Sequence, residues 1–214
     1  MLSPVERISL AKRVSLYQDQ LWSDEATDQL DYLTVDRGLD IATIARFQLG
    51  AVVNPVDSDN HSRGKIAIPY LTPNGPVALR FRKMPDQDGP KYFQPAGSKL
   101  SIFNVTQFNV PSRWIVVTEG EMDCMTAVQA GLPAVGLPGA SSWRDHYSII
   151  FAGYERVIIC ADNDDKGAGA AFAEKIAAAV PAPAIFLMDE GHDVNSYVKE
   201  HGAEAFREYI KVKR

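Results

Sequence analysis

The sequence predicts an α/β protein: a four-stranded parallel, doubly wound sheet preceded by a smaller mixed α+β part. Three observations carry this. From Pro111 onward, four short apolar runs (Ile115–Thr118, Ala134–Leu137, Val157–Ala161 and Ala184–Met188) alternate with helical stretches. Continuous apolar strands between helices suit a parallel sheet covered on both faces. Upstream, Ile66, Ile68 and Tyr70 alternate, Pro73-Asn74-Gly75-Pro76 turns, and Val77, Leu79 and Phe81 alternate back, which reads as a hairpin over 64–82. Residues 4–21 set Val5, Ile8, Ala11, Val14, Tyr17 and Leu21 at three- to four-residue spacing, an amphipathic helix.

The remaining elements follow in order. Residues 30–50 read as two short helices broken at Gly38, with Asp40 as an N-cap. Asp86–Gly97 is rich in Pro, Gly and Asp and reads as a loop. The expected organisation is an N-terminal helix over 1–29, a basic subdomain over 30–110, a catalytic domain over 111–202 and a C-terminal helix or tail over 203–214.

Composition bounds the class. A chain of 214 residues with 46% hydrophobic and 23% charged residues has room for a real core and is not a disordered type. No apolar run approaches the roughly 20 residues needed to span a bilayer. The first 20 residues carry charges throughout and lack the apolar core of an export signal. Cys124 and Cys160 lie in apolar stretches, which excludes a disulfide framework and a cysteine-built zinc finger and suits a reducing, cytoplasmic setting. The net charge of −5 alone points away from nucleic acid. Its distribution is uneven. Residues 1–110 hold 12 basic and 12 acidic residues, whereas 111–214 hold 10 and 15. Within 61–100, seven basic residues face only Asp86 and Asp88, a local +5.

The chemistry lies at the strand ends. Glu119 follows the first apolar run in Val117-Thr118-Glu119-Gly120-Glu121-Met122-Asp123. Asp162 and Asp164 follow the third in Cys160-Ala161-Asp162-Asn163-Asp164-Asp165-Lys166-Gly167, and Asp189, Glu190 and Asp193 follow the fourth. Open α/β sheets bind ligands beyond the carboxyl ends of their strands. Each acidic group alone also fits a capped turn with acids favoured by the helix dipole. Together, from three strands, they predict a metal site. Clustered carboxylates repel one another, so a divalent cation is their natural partner, and oxygen donors favour Mg²⁺ or Mn²⁺ over Zn²⁺. Gly120 and Gly167 allow a close backbone approach to a ligand.

These three segments resemble the Toprim domain, a fold shared by bacterial-type primases, type IA and II topoisomerases and some nucleases. Further segments are similar to the RNA-polymerase core of DnaG-type primases. They are Tyr32-Leu33 with Arg37-Gly38-Leu39, Ile44-Ala45-Arg46-Phe47-Gln48-Leu49-Gly50, Leu79-Arg80-Phe81-Arg82 and Pro90-Lys91-Tyr92-Phe93. Glu119-Gly120-Glu121-Met122-Asp123 is most similar to the phage T7-like version. The resemblance implies that Glu119 is the essential glutamate in acid/base or metal work. It implies that Asp162 and Asp164 hold catalytic metal, that Asp123 supports them, and that Asp193 is a further ligand. Asn195 stands where many DnaG enzymes have another Asp. Arg80, Arg82, Lys83, Lys91 and Lys166 would hold nucleotide phosphates and template, with Arg80 and Arg82 on one face of a strand.

The implied reaction is synthesis of short RNA primers on single-stranded DNA from nucleoside triphosphates, by two-metal nucleotidyl transfer with Mg²⁺ or Mn²⁺. The sequence has neither a four-ligand Cys/His set nor a Gly-x-x-x-x-Gly-Lys-Ser/Thr loop. It therefore reads as a bare catalytic core: a small phage protein, an excised domain, or a subunit whose zinc-binding template reader and replicative helicase act in trans, with no membrane partner. A Toprim nuclease and a non-catalytic replication accessory are the alternatives. A topoisomerase needs a tyrosine-bearing domain for which there is little room. His61, His146, His192 and His201 make no spaced metal motif and read as surface or packing residues, although His192 adjoins Asp193. Gly136–Ser141 offers backbone N–H groups to a phosphate or is a plain turn. Lys211, Lys213 and Arg214 read as a solvated basic tail.

Overall fold

A computed structural model describes residues 2–95, 100–139, 142–163 and 167–212. The chain divides into two compact units, Met1–Leu100 and Ser101–Arg214. This partition falls ten residues before the expected boundary at 110/111. The reason is packing. Ile102 is buried in the core of the second unit, and the Phe103 N–H donates to the Gly136 carbonyl at 2.7 Å.

The first unit begins with α1 (Pro4–Leu21). Ser3 and Glu6 form a reciprocal capping box, and Pro4 supplies a pre-set φ at the first helical position. The buried face is Leu10, Val14, Tyr17 and Leu21, whereas Val5 is 76% and Ile8 58% exposed. The expected stripe is therefore half wrong. A strict three-residue spacing slips about 60° per step around an α-helix, so Val5 and Val14 lie on opposite sides. The set 10, 14, 17, 21 stays within one face. Leu10, Val14 and Tyr17 pack on Val52, Ala67, Leu79 and Phe81.

α2 (Thr27–Asp31) continues into a π-turn over Tyr32–Asp36, Gly38 turns at φ 65°, and α3 (Ile41–Arg46) starts where Asp40 accepts from the Thr43 N–H at 2.6 Å. Four antiparallel strands follow in the order β1 (Gly50–Ala51), β2 (Ile66–Thr72), β3 (Gly75–Arg82), β4 (Tyr92–Phe93). The hairpin is the expected one. β1 and β4 fall where a helix and a loop were expected, because two-residue strands carry no readable period. Ile66 to Tyr70 are buried without alternation, so both faces of β2 are covered. One buried ion pair braces this unit. Asp59, fully buried, accepts from Arg13 Nε (2.8 Å), from a second Arg13 guanidinium nitrogen (2.6 Å) and from the Tyr17 hydroxyl (2.6 Å).

The second unit is the expected α/β sheet: β5 (Trp114–Thr118), α4 (Glu121–Gln129), β6 (Ala134–Gly136), α5 (Ser148–Phe151), β7 (Arg156–Ala161), α6 (Ala168–Ala177), β8 (Pro183–Leu187) and α7 (Val194–Val212). All four strands are parallel, in the order β6-β5-β7-β8. The chain moves outward from β5 to β6, then crosses back to β7 and outward again to β8. The strand order therefore reverses between β5 and β7. One core gathers Ile115, Val117, Val157, Ile159, Phe172 and Ile176. α7 breaks at Gly202, with φ 87° and ψ 161°, at the expected start of the C-terminal segment.

Candidate active site

Register brings the acidic residues to one edge. Thr118 pairs with Gly136 on one side and Cys160 on the other, and Cys160 pairs with Phe186. Glu119 and Asp162 thus leave the carboxyl ends of β5 and β7, the two central strands, at the point where the strand order reverses. That crevice is where open α/β sheets take their ligands. Glu119 and Asp162 are both half-buried. Glu119 Oε2, Glu121 Oε2 and Asp162 Oδ1 are shut off from solvent.

Local structure holds these groups in place. Glu121 and Asp123 occupy the first turn of α4, where the helix dipole favours negative charge, and both are buried. The Asn195 N–H at the start of α7 donates to Asp123 Oδ1 at 3.0 Å, and the Asn195 side-chain amide donates to Thr126 Oγ1 at 2.8 Å. Asn195 therefore braces α7 against α4. Beyond β7, the Asn163 N–H donates to the His192 carbonyl (3.1 Å) and the Gly191 N–H to the Asn163 carbonyl (3.1 Å). These bonds zip the Asp162 segment to the turn after β8. Burial pushes the Cys160 thiol up to about 12, and the charges of Asp123 and Asp162 add to the effect. Cys160 is therefore a core residue rather than a nucleophile.

The other expected residues are placed differently. Asp193 caps α7: its Oδ1 accepts from the Ser196 N–H at 2.6 Å, leaving Oδ2 as the atom it can offer a cation. The Gly139 N–H donates to the Leu137 carbonyl (2.6 Å) and the Glu119 carbonyl (3.2 Å), so it is occupied internally rather than turned to a phosphate. Asp164 and Lys166, and with them Lys99, Ser141, Lys213 and Arg214, lie outside the described residues. In the first unit, Arg80 is half-buried with its guanidinium carbon 3.9 Å from the Tyr92 ring centre. Lys83 Nζ donates to the Gln87 carbonyl at 2.6 Å, and Lys91 is exposed. Arg82 departs from the expected groove-facing role. It is 4% exposed, and it donates to the hydroxyls of Tyr32 (2.7 Å) and Tyr92 (2.6 Å). Two phenols converge on it, so it organises the aromatic frame beside Arg80.

Glu121 is a buried acid to which sequence reasoning gave no role, and Asn195 a position whose pairing with Asp123 it did not foresee. Glu119, Glu121 and Asp123 alternate, which was a signal for the first. Nothing in sequence pairs Asn195 with a segment 72 residues away. Among the described residues, the side-chain donors that Glu119, Asp162 and Asp193 offer at this edge are carboxylate oxygens. The residues present fit a hard divalent ion.

Residues 116–198 match the Toprim-like family model. The chain is 39% identical over 153 residues to the Gene 57 protein of Mycobacterium phage D29, covering 69% of this chain and 99% of that protein. It is 28% identical to the DNA primase of Haemophilus influenzae, over 92% of this chain and 40% of that protein. The chain belongs to the DnaG-type primase family. A solved DnaG primase catalytic domain bound to single-stranded DNA superposes with a TM-score of 0.74 at 22% identity, over 96% of this chain and 76% of that one, a likeness of fold. This DnaG-type chain spans nearly all of its phage relative but two-fifths of the bacterial primase. Among its described residues, no helix is long and apolar enough to cross a membrane.

Proposed function

We propose that this chain is a primase catalytic core that joins nucleoside triphosphates into short RNA on single-stranded DNA. The observation that carries the reading is the position of Glu119 and Asp162 at the ends of the two strands where the sheet order reverses. Glu119, Asp162 and Asp164 hold two divalent ions, Mg²⁺ or Mn²⁺, and Asp193 contributes Oδ2. When bound, the ions neutralise the triphosphate and favour ionisation of the attacking 3′-hydroxyl. Asp123, fixed by the Asn195 N–H in the first turn of α4, adds negative charge that keeps the edge attractive to cations. Arg80, Lys83, Lys91 and Lys166 contact phosphates of template and triphosphate. Arg82 supports Tyr92, against which Arg80 stacks. The DNA-bound relative supports single-stranded DNA as the template. A zinc-binding template reader and a replicative helicase are the modules it works with.

The test is incubation with single-stranded DNA, labelled nucleoside triphosphates and Mg²⁺ or Mn²⁺. New short RNA is expected, and it is lost in Glu119→Gln and Asp162→Ala while both variants keep the wild-type circular dichroism. Shortened DNA without RNA overturns the reading in favour of a nuclease. Retained dinucleotide synthesis in either variant overturns the assignment of these carboxylates.

A further inference from the structure

We propose a second, chemically distinct metal site in the second unit, in which His192, Glu200 and His201 bind one Zn²⁺-type ion. One ligand atom from each residue lies within 4.8 Å of the other two. Glu200 Oε2 is 3.7 Å from His192 Nε2, and Glu200 Oε1 is 3.9 Å from His201 Nε2. Tetrahedral ligation with bonds near 2.1 Å puts donor atoms about 3.4 Å apart, so these two contacts close by about 0.3–0.5 Å and the widest donor pair, within 4.8 Å, by up to about 1.4 Å. Glu200 and His201 are exposed side chains at the end of the first half of α7, next to the Gly202 break, and can make that adjustment by small rotations.

The imidazoles are already oriented. His192 Nδ1 is 3.3 Å from Ser196 Oγ. That hydroxyl donates its proton to the Asp193 carbonyl at 3.1 Å while accepting from the Asp193 N–H at 3.0 Å. With Nδ1 in contact with that hydroxyl, Nε2 is the ring nitrogen that faces Glu200. A metal-ligating histidine takes such an outer partner on its second nitrogen. The Tyr197 ring packs against both imidazoles, with centroids 4.6 Å from His201 and 6.1 Å from His192.

The donor set separates this site from the acidic edge. Two imidazole nitrogens and one carboxylate select a borderline ion such as Zn²⁺, with solvent as the remaining ligand, whereas oxygen-only donors suit Mg²⁺. An ion here ties the turn that carries Asp193 to the first half of α7. The inference stands whether or not the chain makes primers.

The experiment uses the full chain without a histidine tag, stripped by chelator and titrated with Co²⁺ in excess Mg²⁺. One Co²⁺ per chain with a visible absorption band of a four- or five-coordinate centre is expected, and Zn²⁺ displaces it. His192→Ala, Glu200→Gln and His201→Ala each weaken binding by at least about tenfold, with unchanged circular dichroism, and Asp162→Asn leaves the band in place. Absence of a stoichiometric band overturns the proposal. So does a band that survives His201→Ala and Glu200→Gln, or one that disappears in Asp162→Asn.

Discussion

Replacing Gly169 with alanine presses on the candidate site through the backbone alone. Gly169 is buried in the first turn of α6. A Cβ built there runs into the Asp162 carbonyl oxygen and stands 2.9 Å from the Asp162 carbonyl carbon and nitrogen. Ordinary contact begins near 3.4 Å, so α6 and the end of β7 must separate, by about half an ångström for those two atoms and further for the oxygen. No side-chain rotation relieves a clash with main-chain atoms. Alanine returns about 1 kcal/mol of helix propensity, which offsets part of the cost. A catalytic group displaced by about 1 Å costs on the order of a hundredfold in rate. Gly169→Ala is therefore expected to lower primer synthesis about a hundredfold while its far-ultraviolet circular dichroism stays that of the wild type. Gly153→Ala is the control, because its Cβ meets nothing within 4 Å and its φ is unstrained. If Gly169→Ala keeps a melting midpoint and a rate within about threefold of wild type, the close approach of α6 does not hold Asp162 in place, and the reasoning is refuted.

Two further outcomes concern the first unit. Asp59→Ala leaves the mostly buried Arg13 guanidinium and the Tyr17 hydroxyl without their acceptor. It is expected to cost about 3–5 kcal/mol, a fall in melting midpoint of more than about 10 °C by calorimetry. A fall under about 4 °C contradicts the buried-pair account. Tyr17 has its phenol pushed up to about 12, chiefly by burial and then by its hydrogen bond to Asp59. Its folded-state value lies above the ordinary 10.0, so its contribution to stability is complete below pH 10 and is lost as pH rises through about 12. The urea midpoint of the wild type should fall more steeply between pH 10 and 12 than that of Tyr17→Phe. Parallel curves would contradict it.

Much of the second unit was legible residue by residue. The four apolar runs match β5 to β8 within about a residue at each end, because buried parallel strands are continuous apolar stretches and their ends are marked by Gly, Pro and acids. The first unit was harder to read. The α1 face was misplaced because a strict three-residue spacing drifts around the helix, and only the 10, 14, 17, 21 set keeps to the side that the sheet covers. β1 and β4 were invisible because their pairing partners, not their own residues, make them strands. Arg82 was expected to face a groove, since strand alternation assigns a side but not what covers that side.

Local chemistry along the chain set the sheet class, the polarity of its strands and the acidic residues that follow them. These properties are local: apolar period, turn chemistry and the placement of charge just beyond an apolar run. Tertiary structure alone decided which acids share an edge, because register and strand order depend on partners far apart in the chain. It joined Asn195 to Asp123, drew the phenols of Tyr32 and Tyr92 around Arg82, and turned Asp193 into a helix cap. It also brought His192 and His201 onto one carboxylate. Spacing along the chain concealed that cluster, because the helix between them returns the two imidazoles to the same side.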